Sequence, residues 1–182
     1  MESSSLIIDQ TKKWITDVVI GCNFCPFAAR EVKKNSIHYE VTTATTIEES
    51  LQALFLEFER LDANENIETS FLIFPDSFQD FHDYLDLVSS GEKLLDKKGY
   101  EGIYQIASFH PLYCFAGSDE DDAANYTNRS PYPMLHLLRE ESMEKALENF
   151  SEPENIPEKN IAFARNKGTA WMKMLRDRVF SQ

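Results

Sequence analysis

An α/β domain, with a mixed sheet of about four strands and helices packed on it, is predicted by three features of the 182-residue sequence. Short apolar runs of β-forming residues alternate with longer stretches of helical periodicity, the pattern of strands joined by crossover helices. The chain is 42% hydrophobic and 12% aromatic, enough apolar surface to offset the entropy of ordering it. Its length suits one domain, residues 1–182, with a core that needs no disulfide or metal staple. A ferredoxin-like two-layer arrangement, a three-layer sandwich and an α+β segregation all satisfy this alternation.

From Leu6 to Val19 the apolar residues Ile7, Trp14, Ile15, Val18 and Val19 share one helical face, and Gly21 is placed to stop that helix. The turn Cys22-Asn23-Phe24-Cys25-Pro26 follows, and Phe27–Lys34 reads as a short second helix. Ile37–Val41 alternates as a half-buried strand. Thr46, with Glu49 three residues on, makes a capping box that opens a helix through Leu51, Leu54, Phe55, Phe58 and Leu61. The continuous apolar run Phe71–Phe74 reads as a buried strand in the sheet centre. Asp76 or Ser77 is positioned to cap the next helix, which ends near Lys97-Lys98-Gly99.

Gly102–Phe109 reads as a strand that runs straight into His110-Pro111. A long loop to Pro133 holds three prolines, the acidic run Asp119-Glu120-Asp121-Asp122 and four aromatics, Tyr113, Phe115, Tyr126 and Tyr132. Loops of that length are more often functional or disordered than incidental, and the aromatics argue against plain disorder. Met134–Leu138 reads as a fourth strand with a helix over Glu140–Phe150 behind it, one continuous helix from Pro133 being the alternative. After the break Ser151–Pro157, residues 151–182 form a helical extension with segments on either side of Gly168 and a stripe of Trp171, Leu175 and Val179 packed on the core.

A net charge of −13 repels nucleic acid and anionic lipid, and excludes nucleic acid as a general partner. The longest apolar runs fall far short of the roughly 20 residues a membrane helix needs. The N-terminus lacks the basic flank of a secretory signal, and three cysteines suit a reducing compartment, so a cytoplasmic location is expected.

Candidate chemistry gathers at the end of the third strand and in the loop after it. His110 ends a strand, where α/β proteins place ligand-contacting residues, and its bland alternative is a histidine bonded to loop backbone. His136 lies within Leu135-His136-Leu137-Leu138 and its alternative is a satisfied core residue. Asn128, Arg129, Ser130 and Tyr132 sit on a segment stiffened by Pro131 and Pro133, and with Arg139 they offer a donor set for an anionic group. Alternatively the arginines pair with the acidic run or with Glu140 and Glu141. The spacing Cys22-x-x-Cys25 is open to packed thiols, a redox dithiol or a zinc site. The acidic run lacks the spaced ligands of a calcium loop, and His38 and His82 read as facing solvent.

The blocks Val19-Ile20-Gly21 with Asn23 and Cys25-Pro26-Phe27-Ala28, Ala107-Ser108-Phe109-His110-Pro111, and Asn125–Pro133 with Leu135–Glu140 resemble a bacterial family catalogued as domain-of-unknown-function family 1415. That resemblance spans nearly the whole chain and implies a single cysteine, at Cys25, with leucine in place of Cys22 and glutamine in place of Cys114. It leaves Cys25, His110 and His136 as the reactive set.

Together these readings point to an enzyme, or a binder close to one, that holds an anionic small molecule with Asn128, Arg129, Ser130, Tyr132 and Arg139. His110 or His136 would act as general acid or base, and Cys25 as nucleophile or as third ligand of a divalent metal such as zinc held by the two histidines. The rival readings are a protein-interaction domain docking through its aromatic loop, and a thiol redox protein.

Overall fold

A computed structural model describes residues 3–148 and 152–181. Phe150 and Ser151, the ends assigned above to a helix and a break, lie outside the described residues.

The first helix, α1 (Ser4–Trp14), is capped by the Ser3 hydroxyl, which accepts from the Leu6 N–H. The single helix read to Val19 instead changes character at Ile15 and continues as a π-helix over Ile15–Ile20. Five of those six residues are β-branched and have little intrinsic α preference to lose. Gly21 closes the wide turn by donating its N–H to Thr16 at 3.0 Å, and a Cβ there would sit 2.2 Å from the Asp17 carbonyl oxygen, so the close approach requires glycine. α2 (Ala28–Lys34) then leads to strand β1 (Ile37–Val41).

The capping box forms as the sequence implies: Thr46 accepts from the Glu49 N–H, the Glu49 carboxylate accepts from the Thr46 N–H, and α3 runs Ile47–Ala63. β2 (Thr69–Ile73) follows, every residue of it buried. Helix α4 (Phe81–Lys97) begins later than Asp76 or Ser77 allows, and its cap is Asp80, bonded to the N–H groups of His82 and Asp83. Phe78 prevents the earlier start, because its backbone is left-handed at φ 55° while its ring packs edge-on against Phe74.

β3 (Tyr104–Phe109) and β4 (Met134–Arg139) are joined by the long loop, in which Ala123–Thr127 forms a short 3₁₀ turn. Helix α5 (Glu140–Leu147) leaves β4 directly, and α6 (Ile156–Lys167) and α7 (Thr169–Asp177) end the fold. The four strands order as β1-β2-β4-β3, with β1 parallel to β2 and β4 antiparallel to both β2 and β3.

Alternation along the strands creates two cores. Leu72, Leu135, Leu137 and Tyr104 face α3 and α4 and pack on Leu54, Phe58, Leu61 and Leu87. Phe71, Ile73 and Met134 face the opposite way, onto Trp14, Ile15 and Val18 and onto Ala164, Met172 and Leu175 of the last two helices. The fold is therefore a three-layer α/β sandwich. No helix among the described residues is long and apolar enough to cross a membrane.

Candidate functional site

The sheet face toward α1 and the π-helix is incompletely filled. Between it, α2 and α5 lies a cavity of about 190 Å³ walled by Trp14, Ile15, Val19, Phe27, Ile37, Phe71, Phe109, Leu138 and Met143, with His136 and Thr69 on its floor and Cys25 in its wall. Ile15 and Val19 reach it from the π-helix, the kind of helix that recurs at functional sites. The β4 register sets His136 between Phe71 and Ala107 on the two flanking strands, and its ring stacks on Phe71 with centroids 3.9 Å apart and planes 5° from parallel.

The hydrogen bonds of His136 assign its tautomer. The Thr69 hydroxyl spends its single proton on the Leu137 carbonyl, so at His136 Nε2, 2.6 Å away, its oxygen accepts. Nε2 therefore carries the proton and Nδ1 presents a lone pair, with no hydrogen-bond partner among the described residues. Burial alone pulls the imidazole pKa down to about 3, which makes the ring a neutral acceptor at physiological pH.

This shift has a consequence for acid stability. In the unfolded chain the ring titrates near about 6.5, so between there and about 3 the unfolded state binds the proton and the folded state does not. The contribution is fully present above that window and is lost as pH falls through it, at up to about 1.4 kcal/mol per pH unit. Relative to His136→Phe, the wild type is expected to lose urea resistance between about pH 7 and pH 5. A stability difference that stays constant with pH would show that the folded imidazole is not held neutral.

Cys25 shares this cavity with His136, and it also lines a second, more open cavity of about 340 Å³ together with Val19, Phe109, Asn128 and Asn160. Neither imidazole nitrogen of His136 bonds to the Cys25 thiol, so no histidine-activated nucleophile is assembled in this state. Cys22 is 7% exposed, and burial raises its pKa against a smaller lowering by Lys167, opposite to the direction that makes a thiol reactive. All three cysteines are free thiols.

His110 is elsewhere. It is fully buried, on the α4 side of the loop, beside the rings of Phe81 and Tyr84 with centroids at 5.2 and 4.9 Å. Its Nε2–H donates to the Phe78 carbonyl at 2.9 Å, and its Nδ1 accepts the Leu112 N–H at 3.0 Å. Both nitrogens are thus committed to backbone, and burial lowers its pKa. His110 fixes the left-handed Phe78 to the start of the loop.

The loop side chains are likewise turned to internal partners. Arg129 donates to the carbonyls of Tyr113 and Glu120 at 2.9 and 2.8 Å and lies 4.7 Å over the Tyr126 ring; it meets backbone of the acidic run, not its carboxylates. Asn128 donates to the Ser108 carbonyl, the buried Ser130 hydroxyl donates to the Tyr132 carbonyl, and the Tyr132 hydroxyl bonds Gln10. Arg139, at the far end of β4, donates to the carbonyls of Leu61, Asn64 and Ile67 and to the Tyr104 hydroxyl. It is the C-terminal cap of α3, where a cation complements the dipole. Arg129 and Arg139 are held by different partners, the carbonyls of the long loop and those that follow α3, and do not form one anion clamp.

Of the reactive set the structure brings Cys25 and His136 to one cavity and leaves His110 out. Among the described residues, the group of possible metal ligands is His38, Glu40 and Glu57, and not Cys25, His110 and His136. The expected three-ligand zinc site is therefore not formed, because β3 ends in a loop that turns His110 to the α4 side while His136 points to the other face of the sheet. Trp14 and Thr69, which shape the cavity and orient His136, carry no local signal beyond their place on a helix and a strand. His82 is exposed as expected, but His38 has its Nε2 shielded from solvent.

A three-layer α/β protein with a partly open apolar cavity and one neutral imidazole on its floor is the class that this fold and geometry define. The chain belongs to the family described as protein of unknown function DUF1415, whose model matches residues 6–174. Comparison with curated proteins and with solved structures found no match.

Proposed function

We propose that the protein binds a small, neutral, mainly apolar molecule in the cavity on the α1 face, with the lone pair of His136 Nδ1 accepting a hydrogen bond from the ligand's polar group. The observation that carries this reading is an apolar cavity whose floor holds one oriented, uncharged acceptor. A dry cavity of about 150 Å³ suffices for benzene, so the space matches a single-ring ligand. A neutral ligand is favoured over an anionic one because, of the two arginines that line the cavity, Arg139 is engaged with main-chain carbonyls and Arg30 is paired with Glu31.

A docking role for the aromatic loop has less support, since Tyr126 and Tyr132 are buried at 4% and 9% exposure and belong to the core. Three free thiols suit a reducing compartment, and we place the protein in the cytoplasm on that ground.

Phenol and toluene test the reading. Both are expected to shift the Trp14 indole resonance on titration. In His136→Phe, phenol should weaken about fivefold more than toluene does, the worth of one hydrogen bond of about 1 kcal/mol, because the loss of space is common to the two ligands. Equal weakening, or titrations that leave Trp14 unmoved, would refute it.

A further inference from the structure

We infer that the protein carries a divalent-metal site, best suited to zinc, at His38, Glu40 and Glu57, on the opposite face of the sheet from the cavity. His38 and Glu40 are two apart on edge strand β1 and so project to the same side, toward α3. Glu57 comes down from α3 to meet them, and the donor atoms of all three lie within 4.8 Å of one another. His38 Nε2 is 3.5 Å from the Glu40 carboxylate and 3.7 Å from that of Glu57. Ligands bound to one tetrahedral zinc at about 2.0–2.2 Å stand about 3.4 Å apart, so a small inward movement closes the set.

The state of His38 Nε2 is the second observation. It is one of two shielded side-chain polar atoms that lack a hydrogen-bond partner among the described residues, and it faces two carboxylates at distances too long for a hydrogen bond. A metal ion would satisfy that nitrogen and both acids together. Glu57 is prepared for the role. It is 1% exposed, the Ser70 hydroxyl donates to its Oε2, and Arg60 Nε donates to its Oε1 at 2.9 Å, an outer shell that fixes the carboxylate.

Arg60 is the competing cation. Its guanidinium reaches Glu40 at 3.4 Å from a side chain 41% exposed, so it offsets the two acids and can swing to solvent when a dication arrives. One imidazole and two carboxylates suit zinc or manganese over magnesium, which prefers oxygen ligands alone.

Titration of the full-length protein with zinc chloride tests the site, followed by calorimetry and by the His38 imidazole resonances. One zinc is expected to bind with movement of those resonances, and magnesium should leave them in place. His38→Ala and Glu40→Gln, both in partly exposed side chains, should each weaken zinc by at least about tenfold, the lower end of what outer-shell losses alone produce. Cys25→Ser and His136→Phe should leave it unchanged. Zinc affinity unaltered in His38→Ala, or zinc lost in Cys25→Ser, would overturn the proposal.

Discussion

His110→Ala is expected to destabilise the protein by about 3 kcal/mol and to lower its melting temperature by about 6–12 °C, while leaving phenol binding intact. The substitution removes a fully buried ring and strands two partners, the Phe78 carbonyl and the Leu112 N–H. Leu112 is 57% exposed, so the cost falls mainly on the Phe78 carbonyl, about 1–3 kcal/mol for a group left buried without its partner, and on the vacated space. Thermal unfolding with and without phenol measures both parts. An unchanged melting temperature would contradict the bracing role, and loss of phenol binding in a folded variant would return His110 to the functional site.

Arg139→Met comes next, with an expected loss of about 2 kcal/mol and about 4–8 °C. The methionine keeps the apolar stem but takes the guanidinium from the Ile67 carbonyl and from the carbonyls of Leu61 and Asn64, which keep only the N–H groups of Asn64 and Ile67 as donors. Arg139→Lys should recover only part of the loss, because one ammonium cannot span carbonyls that a planar fork reaches together. Urea midpoints for the three proteins give the order arginine, lysine, methionine. Equal midpoints for lysine and arginine would mean that charge near the helix dipole acts alone.

Most elements are legible from local pattern. The Thr46 capping box, the apolar run at Phe71 and the β-rich Met134 segment each state their structure within a few residues, because caps and strand burial depend on near neighbours. The start of α4 was not legible. Phe78 adopts a left-handed backbone in a setting where its ring meets Phe74 and its carbonyl meets His110, contacts from distant parts of the chain. The change to a π-helix at Ile15 likewise depends on Gly21 reaching Thr16 through a close approach.

For the site the division is sharper. Residue types and local order were enough to identify an α/β domain, a helix that opens at a capping box, and Cys25 and His136 as members of the group worth locating. Which of them meet was decided in three dimensions. Strand alternation turns His136 onto the α1 face and Arg139 onto the α3 face, three residues apart, and the loop after β3 carries His110 to the α4 side. His38 and Glu57, which are 19 positions apart in the numbering, meet because β1 and α3 pack face to face. Proximity across layers depends on strand order and helix placement, which come from burying two apolar faces at once, and no short stretch of sequence encodes that.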